Sequence, residues 1–203
     1  MNEIFKQVPL YRFIMHCNET TMDKNVLDCG AGGDCPPLSL FLEYGYLTHG
    51  IEFDERQLEK ANTYAALKSQ CLNIKKGDMR QLKFENESFS FVYSYNSVFH
   101  MTKADVLKSI TEMKRVLKQD GLLFVNFLTT KDHRCGTGVS LGENQYEQMD
   151  DDMPVIHSYF EEDEPDMYFK DMKILCKESR VIERIYQSEK IKQGFVDYIV
   201  KKI

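Results

Sequence analysis

The stretch VLDCGAGGDCPPLSLF, residues 26–41, passes from an apolar run into a glycine-rich turn and then toward a helix. Glycines after a strand let the backbone approach a ligand closely, and amide N–H groups at a helix start favour a carboxylate or phosphate. Pro36 suits the first turn of that helix, where its missing N–H removes no hydrogen bond. The stretch therefore predicts a ligand-binding turn between the first strand and the first helix of an α/β fold.

Strand and helix patterns alternate after this turn. Apolar runs at 25–29, 47–53, 71–76, 90–95 and 122–128 predict strands, and segments 36–44, 55–68 and 103–117 predict helices. Buried parallel strands are continuously apolar, so this order is typical of a doubly wound α/β sheet. Two further strand-like runs, 173–185 and 194–203, are joined by the polar QSEKIKQ and predict a closing antiparallel hairpin.

The remaining segments flank this core in one predicted domain, residues 1–203. Residues 1–22 have helical spacing, and their Tyr11 and His16 are candidates for a lid over the site. Residues 130–155 are predicted to be irregular, and a loop of that length is usually functional or mobile. From Glu147 to Asp171 there are ten acidic residues against one base, Lys170. In this loop and acidic segment, 130–171, the acids could face a cationic substrate or form a solvated surface.

Composition excludes several functional classes. The 203-residue chain has a net charge of −6 and no basic stripe, which argues against a nucleic-acid partner. It has no apolar run of about 18 residues and no signal-peptide pattern, so we expect no membrane span and a cytoplasmic location. No two histidines lie three to five residues apart and there is no CxxC pair, so the spacing predicts no metal site.

Distinctive residues follow the other predicted strands. Ligands of an open parallel sheet lie beyond the carboxyl ends of its strands. Glu52 ends the second strand, 22 residues after Gly30, near the offset of about 20 for an acid that holds ribose hydroxyls. Asp78 follows the third strand, where its carboxylate can accept from an exocyclic amine. Asp54, next to Glu52, is the better candidate to cap the following helix.

These elements carry a family resemblance. Segments 28–33, 50–61, 77–94 and 112–125 resemble, in order, the motifs of the class I S-adenosylmethionine-dependent methyltransferases, over roughly residues 25–129. The resemblance implies a Rossmann-like, seven-stranded, mostly parallel sheet with helices on both faces and a C-terminal antiparallel hairpin. It also implies S-adenosylmethionine as cofactor and methyl transfer to an acceptor.

The resemblance places the methionine part of the cofactor against the glycine turn. Gly30, Ala31 and Gly32 would lie along it, and Asp28 would orient its amino group directly or through water. The family's turn commonly reads GxGxG, whereas this chain has its last glycine at Gly33, one place early.

The adenosine part would lie across the second and third strand ends. By the resemblance, Glu52 takes the ribose hydroxyls and Phe53 flanks the adenine. Asp78 binds the adenine amine, and the Met79 N–H binds a ring nitrogen.

Candidates for the reacting end follow the fourth strand. The resemblance implies that Tyr95 and Asn96 line the passage beside the sulfonium. A general base, where the acceptor needs one, is most simply His100, with Tyr95 and then His157 behind it. The acceptor is expected to be a small molecule, and the acidic segment would suit an amine or another cation.

Two other functions fit part of the pattern. An NAD(P)-dependent oxidoreductase would explain the glycines and Glu52, but the third glycine of GxGxxG would fall on Cys35. That reading also leaves Asp78 and Met79 without a role. A non-catalytic S-adenosylmethionine-binding protein would preserve every cofactor contact, because methyl transfer requires no obligatory side chain.

Overall fold

The computed structural model describes residues 8–150, 152–186 and 188–203. The helices are α1 (Pro9–Asn18), α2 (Leu38–Glu43), α3 (Glu55–Leu67) and α4 (Lys103–Val116), with a 3-10 helix at Glu164–Phe169. The strands are β1 (Asn25–Cys29), β2 (Leu47–Glu52), β3 (Ile74–Lys76), β4 (Phe89–Ser94), β5 (Leu117–Thr129), β6 (Val139–Gly142), β7 (Gln145–Asp150), β8 (Met153–Phe160), β9 (Met172–Tyr186) and β10 (Glu189–Lys202). Among these helices, none is long and apolar enough to cross a bilayer.

Seven strands form the main sheet, in the order β3-β2-β1-β4-β5-β10-β9. The first five of these are mutually parallel, and β10 pairs antiparallel with both β5 and β9. This confirms the predicted fold class and the closing hairpin. The polar QSEKIKQ is not the connection that was expected, because its residues from Glu189 onward belong to β10 and extend the hairpin.

Alternate residues of the central strands supply two cores, one on each face of the sheet. Leu27 and Val92 pack with Val106 and Ile110 of α4 on one face. Their neighbours Val26 and Phe91 pack with α1 and α2 on the other. Successive side chains of a strand point to opposite faces, so continuously apolar strands are buried by helices on both sides.

Helix α1 belongs to the second core. Its Phe13 and Ile14 are fully buried, and the Phe13 ring meets the Phe41 ring edge to face at 6.1 Å. Tyr11 packs edge to face on Tyr44 at 6.3 Å, and His16 lies 3.7 Å from the Glu19 carboxylate. The apolar face of α1 is thus used for packing on the sheet, and a lid made by Tyr11 and His16 stays a prediction. Residues 1–7 of the predicted lid segment lie outside the described residues.

Strands β6, β7 and β8 form an antiparallel sheet where a long irregular stretch was predicted. The end of β8 joins it to the main sheet through the pairs Leu128–Tyr159 and Thr129–Phe160. The turn between β6 and β7 has positive φ at both Glu143 and Asn144, 52° and 59°, as a type I′ hairpin requires. Polar residues such as Gln148 fill the buried side of this sheet, so the apolar alternation that reveals strands is missing.

Six acids of the acid-rich segment form ion pairs with the protein's own bases. The pairs are Asp150–Arg134, Glu162–Lys131, Glu164–Lys103, Asp171–Lys114, and Asp163 and Asp166 with Lys177. These six carboxylates therefore help to hold strands and helices together, and a cationic substrate facing the segment stays a prediction.

Candidate active site

A cavity of about 880 Å³ opens at the carboxyl ends of the parallel strands. That volume is in the range of small-molecule and cofactor sites. Its lining brings together most of the residues expected from the sequence: Gly30, Gly32, Glu52, Phe53, Asp78, Met79, Tyr95, Asn96 and His100. Asp28 and Ala31, the other two, are buried where β1 ends.

The glycine turn is packed so tightly that side chains are excluded at two positions. A Cβ on Gly30, which has φ +98°, would lie 2.3 Å from Ser97 Oγ. A Cβ on Gly32 would lie 2.6 Å from Glu52 Oε2, the oxygen that accepts the Gly32 N–H at 2.9 Å. The turn therefore leaves its backbone, rather than side chains, facing the cavity.

Asp28 is a buried carboxyl group beneath this turn. Within the described part of the chain, its Oδ2 atom has no hydrogen-bond partner. Burial raises the pKa of Asp28 to about 8, with the Tyr93 hydroxyl opposing the shift and the charge of Glu52 adding to it. Ionised Asp28 is thus disfavoured until a positively charged group approaches.

Glu52 is oriented by two backbone donors. Its Oε1 accepts the Asp54 N–H at 2.8 Å, while its Oε2 accepts from Gly32. A carboxylate has about four acceptor positions, so two remain for hydroxyl donors in the cavity. Asp54 caps α3 by accepting from the N–H groups of Arg56 and Gln57, which separates the roles of the two neighbouring acids.

Asp78 is held by a residue that was not expected from the sequence, Arg80. The Arg80 Nε and Nη2 atoms donate to Asp78 at 2.7–3.1 Å, and its Nη1 donates to Asp105 at 3.1 Å. Hydrogen bonds from Arg80 hold the pKa of Asp78 below its usual range. The same guanidinium lies 5.5 Å from the ring of Phe53, which is 63% exposed. Asp78 and Phe53 thus form one charged, aromatic edge of the cavity.

The loop after β4 ties the glycine turn to the centre of the sheet. Asn96 donates its N–H to Asn126 Oδ1 at 2.7 Å, and Asn126 Nδ2 donates back to Asn96 Oδ1 at 2.6 Å. Ser97 Oγ donates to the Gly30 carbonyl at 3.2 Å. Asn96 has φ +55°, a left-handed conformation in which asparagine is enriched. In the sequence, the residue type at position 96 was the only hint of this tight loop.

The opposite side of the cavity is formed by Asp150, Met153 and Val155, with His157 buried behind them; we call these four residues the β7–β8 wall. His100 faces the cavity next to this wall, and its ring meets the His157 ring at 4.8 Å.

Hydrogen bonds attach the β7–β8 wall to the loop after β4. The Ser158 N–H donates to the Phe99 carbonyl at 2.9 Å, and its hydroxyl donates to the Met101 carbonyl at 2.6 Å. Partial desolvation and the neighbouring His157 together lower the pKa of His100 to about 4, although the side chain is exposed to the cavity. His100 is therefore a neutral imidazole at neutral pH.

Comparison with known proteins identifies the family. A family model described as a methyltransferase domain matches residues 27–125. The sterol 24-C-methyltransferase of Debaryomyces hansenii is 33% identical over 118 residues, 56% of this chain. The match spans only 30% of that longer protein.

Solved structures agree over almost the whole chain. An S-adenosylmethionine-dependent methyltransferase from Methanosarcina mazei superposes with a TM-score of 0.72 at 24% identity, covering 94% of this chain and 97% of that one. The 1,6-didemethyltoxoflavin-N1-methyltransferase of Burkholderia thailandensis superposes with a TM-score of 0.65 at 13% identity, covering 99% and 79%. Residues 27–125 thus form a methyltransferase domain, and the fold is that of the class I S-adenosylmethionine-dependent methyltransferases, whose cofactor is S-adenosylmethionine.

Proposed function

We propose that this protein transfers a methyl group from S-adenosylmethionine to a small molecule bound against the β7–β8 wall. The observation that carries the proposal is the single cavity that joins the strand-end residues to this wall. One side of the cavity offers a backbone turn and oriented carboxylates, and the other offers imidazole and apolar side chains.

The residues present fit the cofactor. The partnerless Oδ2 of buried Asp28 suits the amino group of its methionine part, which would supply the missing positive charge. The free acceptor positions of Glu52 suit the ribose hydroxyls, and exposed Phe53 suits one face of the adenine. Arg80 already makes four hydrogen bonds to the Asp78 carboxylate, so Asp78 would receive the adenine amine in exchange for one of the Arg80 side-chain bonds.

The chain's contribution to the transfer is positioning and exclusion of water. The cofactor supplies an activated methyl group on a sulfonium, and orienting an acceptor in line with it lowers the barrier by up to about 7–11 kcal/mol in ideal cases. Tyr95 and Asn96, fixed through Asn126, would border the sulfonium. His100 and Tyr95 are the side chains that we assign to contact with the acceptor.

A small acceptor is supported by a structural neighbour and by the length of the sterol-methylating relatives. The Burkholderia thailandensis neighbour was solved with the small molecule 1,6-didemethyltoxoflavin and S-adenosylhomocysteine bound. Sterol methylation belongs to longer proteins, of which this chain matches less than a third. Of the described acids in the 147–171 segment, Asp150 alone lines the cavity, so an amine acceptor would depend on that residue.

Calorimetry with S-adenosylhomocysteine tests the cofactor half of the proposal. We expect micromolar binding that weakens about tenfold to a hundredfold in Glu52→Ala, because each hydrogen bond to a charged group contributes about 1.5–3 kcal/mol. Glu55→Ala is the matched control, since Glu55 lies three residues away and pairs with Lys76 on the surface.

Two other outcomes would favour the alternative functions. Absence of heat with S-adenosylhomocysteine, together with saturable binding of NADH, would favour the nicotinamide alternative. Methyl transfer itself is tested by incubating the protein with labelled S-adenosylmethionine and a metabolite extract. We expect label in a small-molecule product, and label in no pool despite cofactor binding would favour a binding protein without turnover.

A further inference from the structure

We propose that His100, Asp150 and His157 form a binding site for one divalent transition-metal ion beside the cavity. Each residue offers one ligand atom, and the three atoms lie within 4.8 Å of one another. Two imidazoles and one carboxylate are a ligand set that holds zinc, iron and related divalent ions in proteins. The residues are 50 and 7 positions apart in the chain, so ligand spacing in the sequence gave no sign of the site.

The distances suit coordination after a small movement of one ring. His157 Nε2 and Asp150 Oδ2 are already 3.0 Å apart. Two ligands at about 2.0–2.2 Å from one ion lie roughly 3 Å from each other. The ring of His100 meets the rings of Phe99 and His157 at 4.7 and 4.8 Å and faces the cavity, so it has room to turn toward Asp150.

The buried His157 is already placed for coordination. Its side chain is 3% exposed, and its Nε2 faces Asp150 Oδ2. An ion on Nε2 would replace the proton between these two atoms and leave the other ring proton on Nδ1, which fixes the tautomer of the ring.

The outer contacts are those expected around metal ligands. Arg134 Nη1 donates to Asp150 Oδ1 at 2.7 Å, which orients the carboxylate and leaves Oδ2 for the ion. The Arg134 carbonyl is held in turn by Gln148 Nε2 at 2.8 Å. Ser158, next to His157, is bonded to the loop that carries His100. The three chain segments that carry the ligands are therefore fixed relative to one another, and the His100 ring alone has to turn.

Three protein ligands leave the ion with open coordination positions on the cavity side. A small molecule with an oxygen, sulfur or nitrogen lone pair could occupy one of them. That this molecule is the methyl acceptor rests on the proposed function, whereas binding of the ion does not.

Cobalt(II) provides a direct test, because its visible absorption reports the ligands. The protein is freed of metal by dialysis against a chelator and titrated with Co²⁺ near neutral pH. We expect saturable one-to-one binding with visible bands, and displacement by Zn²⁺. His100→Ala should weaken Co²⁺ binding by about 100-fold or more, because a ligand is lost.

Two further variants separate coordination from general damage. Asp150→Asn keeps the shape of the side chain and should also weaken Co²⁺ binding, whereas His16→Ala, on α1 and away from the cavity, should leave it unchanged. Absence of visible bands, or equal Co²⁺ affinity in His100→Ala and the parent protein, would overturn the proposal. S-adenosylhomocysteine binding is measured on the same samples. If it persists without Co²⁺ binding, the metal site alone is wrong, and if Co²⁺ binds without it, the proposed function alone is wrong.

Discussion

The glycine-turn side and the β7–β8 wall form the same cavity by different means. On the glycine-turn side, the cavity is lined by backbone atoms and strand-end acids, and each of them lies at the end of a parallel strand. The wall depends on side chains that come together only when a separate antiparallel sheet docks on the loop after β4. Rigid backbone geometry suits a cofactor of fixed shape, while a side-chain wall can be changed without disturbing the cofactor. We therefore expect variants of the two sides to separate cofactor binding from the properties of the wall.

The largest loss of cofactor affinity should come from Gly30→Ala, on the glycine-turn side. The added Cβ would collide with the Oγ and Cβ atoms of Ser97 at 2.3 and 2.4 Å, and the turn must shift. Overpacking of this kind costs about 1–3 kcal/mol, so we expect S-adenosylhomocysteine affinity to fall by as much as about 100-fold. Calorimetry measures the change.

Gly45→Ala is the matched control for Gly30→Ala. Gly45 also has a positive φ, +79°, but a Cβ there meets nothing within 4 Å. Both variants thus carry backbone strain of roughly 1–2 kcal/mol, and only one carries the collision. The double variant Gly30→Ala with Ser97→Gly should recover part of the affinity. Equal affinities in the two single variants would contradict the role of close packing in the turn.

A smaller effect is expected from the protonation of Asp28. Its pKa of about 8 in the free protein, raised mainly by burial, means that it is mostly neutral at pH 7. A bound ammonium group favours the ionised form, so binding should release close to one proton. Affinity should therefore rise with pH by up to about tenfold per unit between the lower pKa of the bound form and about pH 8, and level off above that.

Calorimetry of S-adenosylhomocysteine binding in two buffers of different ionisation enthalpy counts the protons. Asp28→Asn should abolish the part of the proton release that comes from Asp28, whereas the ligand's own amine titrates equally in both proteins. Linkage also fixes the direction in which Asp28 changes the folding stability of the free protein with pH. A folded pKa above the unfolded value means that Asp28 stabilises the fold below about pH 4, and that this stability is lost as the pH rises toward 8. Identical proton release in Asp28→Asn would show that the carboxyl group stays neutral in the complex.

The same contrast explains what the sequence could predict. Strand ends are readable because apolar runs locate the strands, and Glu52 and Asp78 follow them directly. Asp150 and His157 were not recognisable as partners, because β7 and β8 bury hydrogen-bonded polar residues and lack apolar alternation. The Arg80 bonds to Asp78 and the Ser97 contact with Gly30 depend on side-chain rotamers and on packing between segments far apart in the chain. These are set by tertiary structure rather than by any local pattern.

The smallest effect on cofactor binding is expected from a variant inside the wall's supporting sheet, Gln148→Ala. Gln148 is buried, donates to the Arg134 and Thr137 carbonyls at 2.8 and 3.1 Å, and accepts from the Tyr159 hydroxyl at 2.8 Å. Its removal leaves several buried groups without partners, so the free energy of unfolding should fall by about 1–3 kcal/mol in urea denaturation.

Cofactor affinity should nevertheless stay within about twofold in Gln148→Ala, because the hydrogen bonds of Gln148 within the described residues go to Arg134, Thr137 and Tyr159 and not to a strand-end residue. Glu147→Ala, an exposed neighbour on the same strand, should change stability by no more than about 0.5 kcal/mol. A loss of S-adenosylhomocysteine binding in Gln148→Ala at temperatures where the variant is folded would show that the two sides are coupled. The hydrogen bonds of Ser158 to the loop after β4 would then be the connection to examine, since that loop also carries Ser97 against the glycine turn.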